Sequence, residues 1–289
     1  MLTREQFHIL CKDGVMLLDG ATGSNLQKAG MPRGCCTELW ILEHPDALLQ
    51  LQQQYVQSGS NILYAPTFQA QPIALGRAGL QEQTEKINAQ LVQLTRSVSK
   101  DVLVAGNLTT LAAYTDSFDE ENFDLLVENY RRQIKGLIDG GADLLAAETL
   151  MYPLEAEAIL TAAELEGAGA AIYTFTMQPD GSLFSGRPAA NVLRELEKAG
   201  AAAVGFNCVA CDDMTAGLVS KLRREVKGPL VCKPNAGNPV IGADGIPCYL
   251  MTPEEFACNM RQCFQAGASI LGGCCGTDPS FIYAVNNTL

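Results

Sequence analysis

Apolar residues along this chain come in short unbroken runs, each following a segment of helical spacing that ends in small residues. The runs are VMLLD (15–19), ILYA (62–65), VLVAGN (102–107), LLAAE (144–148), AIYTFT (171–176), AVGFNC (203–208), LVCKPN (230–235) and SILGGC (269–274). Continuous rather than alternating apolarity is what a parallel strand covered on both faces requires. Four junctions share one form: SGSNILYAPTF (58–68), GGADLLAAET (140–149), AGAAAVGFNC (199–208) and AGASILGGCC (266–275). In each, a glycine closes a helix and a strand begins shortly afterwards. Helices are predicted over 45–57, 82–98, 120–139, 154–166, 188–199, 213–226, 253–266 and 279–287. The first follows a long loop, and TREQFHILCK forms a preliminary helix closing the bottom. Eight such units predict an α/β fold, a single (β/α)8 TIM barrel with a short N-terminal helix. Residues 1–289 show no linker or composition break and read as one domain, with GAGAA (167–171) as a turn. A doubly wound sheet is the alternative fold.

Composition narrows the partners. A net charge of −12 lacks the basic clusters of a nucleic-acid footprint and disfavours anionic lipid. The N-terminus, MLTREQFHILCKDGV, carries charges throughout and no apolar signal-peptide core, and no window approaches a membrane span. A cytoplasmic location is expected. The 11 cysteines are an odd number and too dilute for a disulfide scaffold. Cys11, Cys232, Cys258 and Cys263 read as small buried hydrophobes. His8 and His44 read as surface or capping residues, too few for a histidine-based metal site.

Barrel active sites form at the C-terminal ends of the strands. Those ends carry Asp19, Thr67, Asn107, Glu148, Thr176, Cys208, Asn235 and the adjacent Cys274 and Cys275. Strands six and eight are separated by one neighbour, about 10 Å in all. Thiolates at their ends can therefore converge on one ion, with Zn–S bonds of about 2.3 Å. Successive residues of a regular strand face opposite ways, so Cys274 and Cys275 can both ligate only where the chain turns. Gly272, Gly273 and Gly276 permit that turn. Three protein ligands leave an open fourth position, the arrangement of catalytic zinc. An all-sulfur shell is a poor generator of hydroxide but suits a substrate thiol held as thiolate. Blander readings stand beside this one. The pair also fits packing or structural zinc, and Cys208 fits an ordinary buried thiol. Cys211 and the pair Cys35–Cys36 are rivals, the latter pair expected to pack or line the long first loop. Asp19 and Glu148 end opposite strands, and Lys233 is the sole lysine at a strand end. The two acids suit a substrate ammonium better than proton transfer, although Asp19 in DGATGS also fits a cap or turn residue.

In this order and at these spacings, LLDGATGSNL, GFNC, KPNAG and LGGCCGTDP resemble the homocysteine S-methyltransferase family. The likeness is strongest to the homocysteine-binding zinc barrel of cobalamin-dependent methionine synthase, and it covers essentially the whole chain. It implies a (β/α)8 barrel with zinc on Cys208, Cys274 and Cys275, which are also the catalytic residues. It implies methyl transfer to the homocysteine sulfur, giving methionine. Asp19, with Gly20 and Ala21 after it, and Thr67, Glu148 and Asn235 are then the substrate-binding residues, the two acids lying beside the amino group. Asn235 is expected to offer a weak oxygen ligand when substrate is absent.

Two mouth motifs depart from the family. APTF (65–68) places Ala65 and Pro66 where TNTF is usual, and GNLTT (106–110) replaces a Gly-Pro turn. No folate or corrinoid module fits within the barrel's own length, so the donor is expected from outside. The likeness favours methylcobalamin carried by a partner protein. S-methylmethionine, S-adenosylmethionine and betaine are the alternative donors, selenocysteine an alternative acceptor, and a non-catalytic zinc-barrel subunit the alternative of another class.

Overall fold

The computed structural model describes residues 1–289 except 13, 116–117, 179 and 243–246. Eight parallel strands form one sheet: β1 (Met16–Leu17), β2 (Ile62–Tyr64), β3 (Leu103–Thr109), β4 (Leu144–Leu150), β5 (Ala171–Phe175), β6 (Ala203–Ala210), β7 (Leu230–Asn235) and β10 (Ile270–Leu271). Their spatial order is β1-β10-β7-β6-β5-β4-β3-β2. The sheet closes on itself through a parallel bridge between Leu18 and Ile62. At that seam Asn61 donates its backbone N–H to the Leu17 carbonyl, and its side-chain oxygen accepts from the Leu17 N–H, both at 2.7 Å. This is the expected (β/α)8 barrel, not a doubly wound sheet. A separate antiparallel pair, β8 (Val240–Ile241) with β9 (Pro247–Cys248), lies in the connection after β7.

Continuous apolar runs become strands buried on both faces, as in β2, β5 and β7. Inside the barrel Leu18, Ile62, Ala105, Ile172, Val231 and Ile270 pack together. Phe7, fully buried on the helix Arg4–Leu10, fills the bottom. A capping box from Thr3 and Gln6 starts that helix. Leu2 fastens the segment by donating to the Asp143 carbonyl and accepting from the Ala170 N–H, both at 2.7 Å. The larger core lies between the strands and the outer helices. Among the described residues no helix is long and apolar enough to cross a membrane.

Three expectations need correction. The first loop is largely helical, with helices at Gly23–Lys28 and Thr37–Glu43. Leu26 and Ile41 of these helices bury against Leu48 and Tyr55 of the helix Pro45–Gln57, which makes helix the stable state of these short pieces. Cys258 is exposed. On the helix Pro253–Gln265, Phe256, Ala257, Met260 and Cys263 make the buried face at three- and four-residue spacing, and Cys258 falls opposite. Finally, β1 and β10 are two residues long, shorter than the apolar runs, because glycine-bearing turns take over at their ends.

Candidate metal centre and acceptor cavity

Beyond Leu271 the chain leaves the strand and turns through Gly272 and Gly273 to the cysteine pair. Three contacts pin that turn to the end of β7. Cys274 donates its N–H to the Pro234 carbonyl (2.8 Å), Cys275 donates to the Asn235 side-chain oxygen (3.0 Å), and Ala236 donates to the Cys275 carbonyl (2.9 Å). Thr277 closes it, its N–H and hydroxyl both bonding the Cys274 carbonyl. Gly276 follows with φ +83°, and a side chain there would collide with the Tyr249 ring.

Cys208 reaches the same point from β6 by a different device. It has φ +57° without being glycine, inside an irregularity of the β6–β7 register between Asn207 and Ala210. Such a bulge re-aims the side chain. Thr149 repeats the arrangement on β4, with φ +58° in an irregularity between Ala147 and Leu150. Asn207 ties the two bulges together. Its side-chain oxygen accepts from the Thr149 N–H, and its amide donates to the Thr149 hydroxyl, both at 2.7 Å.

The Sγ atoms of Cys208, Cys274 and Cys275 all lie within 4.8 Å of one another, and Cys208 and Cys275 are 3.9 Å apart. A tetrahedral ion with bonds of about 2.3 Å needs sulfurs about 3.8 Å apart, so the donor set fits zinc after small adjustments. Hydrogen bonds from Cys208 and Cys274 pull the Cys275 thiol down to about 3, while hydrogen bonds with Cys274 and Cys275 push the Cys208 thiol up. Cys211 is 1% exposed and packs in the main core, outside this cluster. Cys35 is exposed and donates to the Pro32 carbonyl, and Cys36 donates to Glu38 at 3.7 Å, so this pair serves the first loop.

A cavity of about 380 Å³ opens beside the cysteines. Asp19, Gly20, Ala21 and Glu148 line it together with the three cysteines. Thr67 and Asn235 do not. The Thr67 hydroxyl donates to the Asn107 carbonyl (2.8 Å) and accepts from the Asn107 N–H (3.0 Å), bracing β3, while Asn235 braces Cys275. The Asp19 Oδ2 accepts from the Tyr64 N–H at 2.8 Å. Glu148 accepts from Asn107 (2.9 Å), Lys233 (3.1 Å) and Asn207 (3.4 Å). Lys233, buried, stands 5.0 Å from the Tyr64 ring centroid. Burial works against its charge, but Glu148, Cys274 and Asp19 outweigh that and hold the ammonium well above its usual range. Sequence reasoning noted Lys233 without giving it a task, and missed Asn207 and Glu38. Glu38 is 3% exposed, lines the cavity and accepts from the Gln69 N–H at 3.0 Å. Only the GFNC spacing, one residue before a ligand, hinted at Asn207.

The homocysteine S-methyltransferase family profile matches residues 16–289. The chain belongs to this family. The homocysteine S-methyltransferase of Escherichia coli K12 is 30% identical over 309 residues, covering 96% of both chains. Methionine synthase of Mycobacterium tuberculosis is 27% identical over 290 residues, covering 94% of this chain but 24% of that protein. The crystal structure of the Escherichia coli homocysteine methyltransferase MmuM in a metallated form superposes with a TM-score of 0.82 at 27% identity, covering 97% of this chain and 98% of that one.

Proposed function

We propose that this chain methylates homocysteine at sulfur to give methionine, with zinc on Cys208, Cys274 and Cys275 and a small methylated cation as donor. Convergence of three cysteine sulfurs beside a cavity carries the acceptor half of this reading. Zinc at those sulfurs supplies a soft centre that keeps the acceptor thiol deprotonated near neutral pH. The rest of the work falls to the chain's own groups. Asp19, whose carboxylate lines the cavity, holds the acceptor's ammonium; Tyr64 fixes that carboxylate through its backbone N–H. The reaction forms one C–S bond to the acceptor as the donor's bond to methyl breaks, and the donor's heteroatom keeps the electron pair. The leaving group is neutral, so no general acid is required. What remains for the protein is alignment of the two reactants and exclusion of water.

The cavity's charge supports the donor. Asp19, Glu38 and Glu148 face it against the single ammonium of Lys233 among its lining residues, which favours a sulfonium or quaternary ammonium compound. Its volume of about 380 Å³ suits small reactants. The near-complete overlap with the Escherichia coli homocysteine S-methyltransferase supports homocysteine as the acceptor. Methylcobalamin on a partner protein is the second reading, favoured by the likeness to the methionine-synthase barrel. A donor panel on zinc-loaded protein with homocysteine tests both. Methionine should form with S-methylmethionine, S-adenosylmethionine or betaine, and Cys208→Ala should lose both bound zinc and turnover. Turnover with a methylcobalamin protein alone would replace the donor assignment. Full turnover in Cys208→Ala would end the assignment of the metal.

A further inference from the structure

The reaction above leaves Lys233 without a task, yet its side chain runs from β7 into the cavity wall and ends against an acid. Both oxygens of Glu148 are engaged. Oε1 accepts from Asn107 at 2.9 Å, and Oε2 accepts from Lys233 at 3.1 Å and from Asn207 at 3.4 Å. The Glu148 and Lys233 side chains are only 9% and 4% exposed. A buried pair of this kind resists separation, because parting it strands two unscreened charges. An incoming ammonium at Glu148 would also have to share the carboxylate with another ammonium, and like charges at one site repel. Asp19 stands differently. Its Oδ2 accepts from Tyr64, but its Oδ1 is buried without a hydrogen-bond partner, and so is the Oδ1 of Asn107, another residue of the cavity lining. Oxygens with no partner at all therefore lie at Asp19 and Asn107, whereas each oxygen of Glu148 already accepts, one of them from an ammonium.

We infer that Lys233 acts as a built-in counter-ion that occupies Glu148, so that of the two strand-end acids it is Asp19 that reads the acceptor's ammonium. Glu148 then works as a clamp on Lys233, against what the family resemblance assigns to it. The inference rests on the proposal that homocysteine is the acceptor. It also makes a thiol acid lacking the ammonium a better competitor here than two free carboxylates would allow.

The test is calorimetric binding to the zinc-loaded chain, with no methyl donor present. Homocysteine is compared with 4-sulfanylbutanoate, which replaces the ammonium by hydrogen, and the ratio of their Kd values measures the preference for the ammonium. Glu148→Gln should keep the wild-type ratio within about threefold, since the substituted amide oxygen still accepts from Lys233. Asp19→Asn should lower it at least tenfold. Lys233→Met frees Glu148 and should raise the ratio at least tenfold, and adding Glu148→Gln to it should restore the wild-type value. A ratio that falls as far in Glu148→Gln as in Asp19→Asn overturns the inference, as does a ratio unmoved by Lys233→Met. Should Lys233→Met fail to fold, the comparison of Glu148→Gln with Asp19→Asn decides alone. Wild-type protein that binds neither thiol overturns the homocysteine reading itself, a result distinct from binding with an unexpected ratio.

Discussion

Asp19 is 1% exposed, and burial pushes its carboxyl up to about 7 against the lowering effects of Lys233 and the Tyr64 N–H. The folded chain therefore holds the proton more tightly than the unfolded one. Its contribution to stability is greatest below the ordinary carboxylate range and is lost as pH rises from about 4 towards 7. Asp19→Asn should remove that slope, and urea melts at pH 5 and pH 7 should show a smaller stability difference than wild type, by on the order of a few kcal/mol. An equal difference in both proteins would contradict the assignment. Acid and cysteine identities at this scale were open to sequence reasoning, because each sits where an apolar run stops. The engagement of Glu148 by Lys233 was not, since those two side chains meet across the barrel from β4 and β7.

Strands β4 and β6 end in paired bulges, each with a non-glycine residue at positive φ, Thr149 and Cys208. Left-handed backbone at such residues costs on the order of 1–3 kcal/mol and persists only where neighbours hold it. Asn207 is one such neighbour: it bonds both the backbone and the hydroxyl of Thr149, and its amide lies 3.8 Å from the Cys274 sulfur. Asn207→Ala should loosen the Cys208 bulge and remove the N–H facing Cys274. Zinc affinity is then expected to fall about 10–100-fold, the range for groups supporting metal ligands, read by chelator competition. Unchanged affinity would show that the bulge holds itself. Nothing in AVGFNC or LLAAET marks these bulges, for the residues there are ordinary strand residues and only the register against the next strand creates the extra turn.

Closure of the whole barrel depends on its bottom as well as its mouth. Phe7 is fully buried among the inward-facing residues of the strands, and the segment before it bridges Asp143 and Ala170. Phe7→Ala should destabilise the protein by about 3–5 kcal/mol through the cavity left at the strand ends, measured as a lower denaturant midpoint with little change in slope. Since the plug lies at the opposite end from the cysteines, zinc binding under native conditions should persist. By itself the sequence determined the fold class and the eight strands of the barrel, and it named the three cysteines whose sulfurs the structure brings together. Those follow from local signals: unbroken apolar runs, glycine at helix ends, and chemistry placed where strands finish. Tertiary structure alone decided the helices within the first loop, the bulges that aim Cys208, and the pairing of Lys233 with Glu148. The physical reason is that each is stabilised by partners far along the chain, and a strand's register or a buried ion pair has no energy until closure brings those partners within reach.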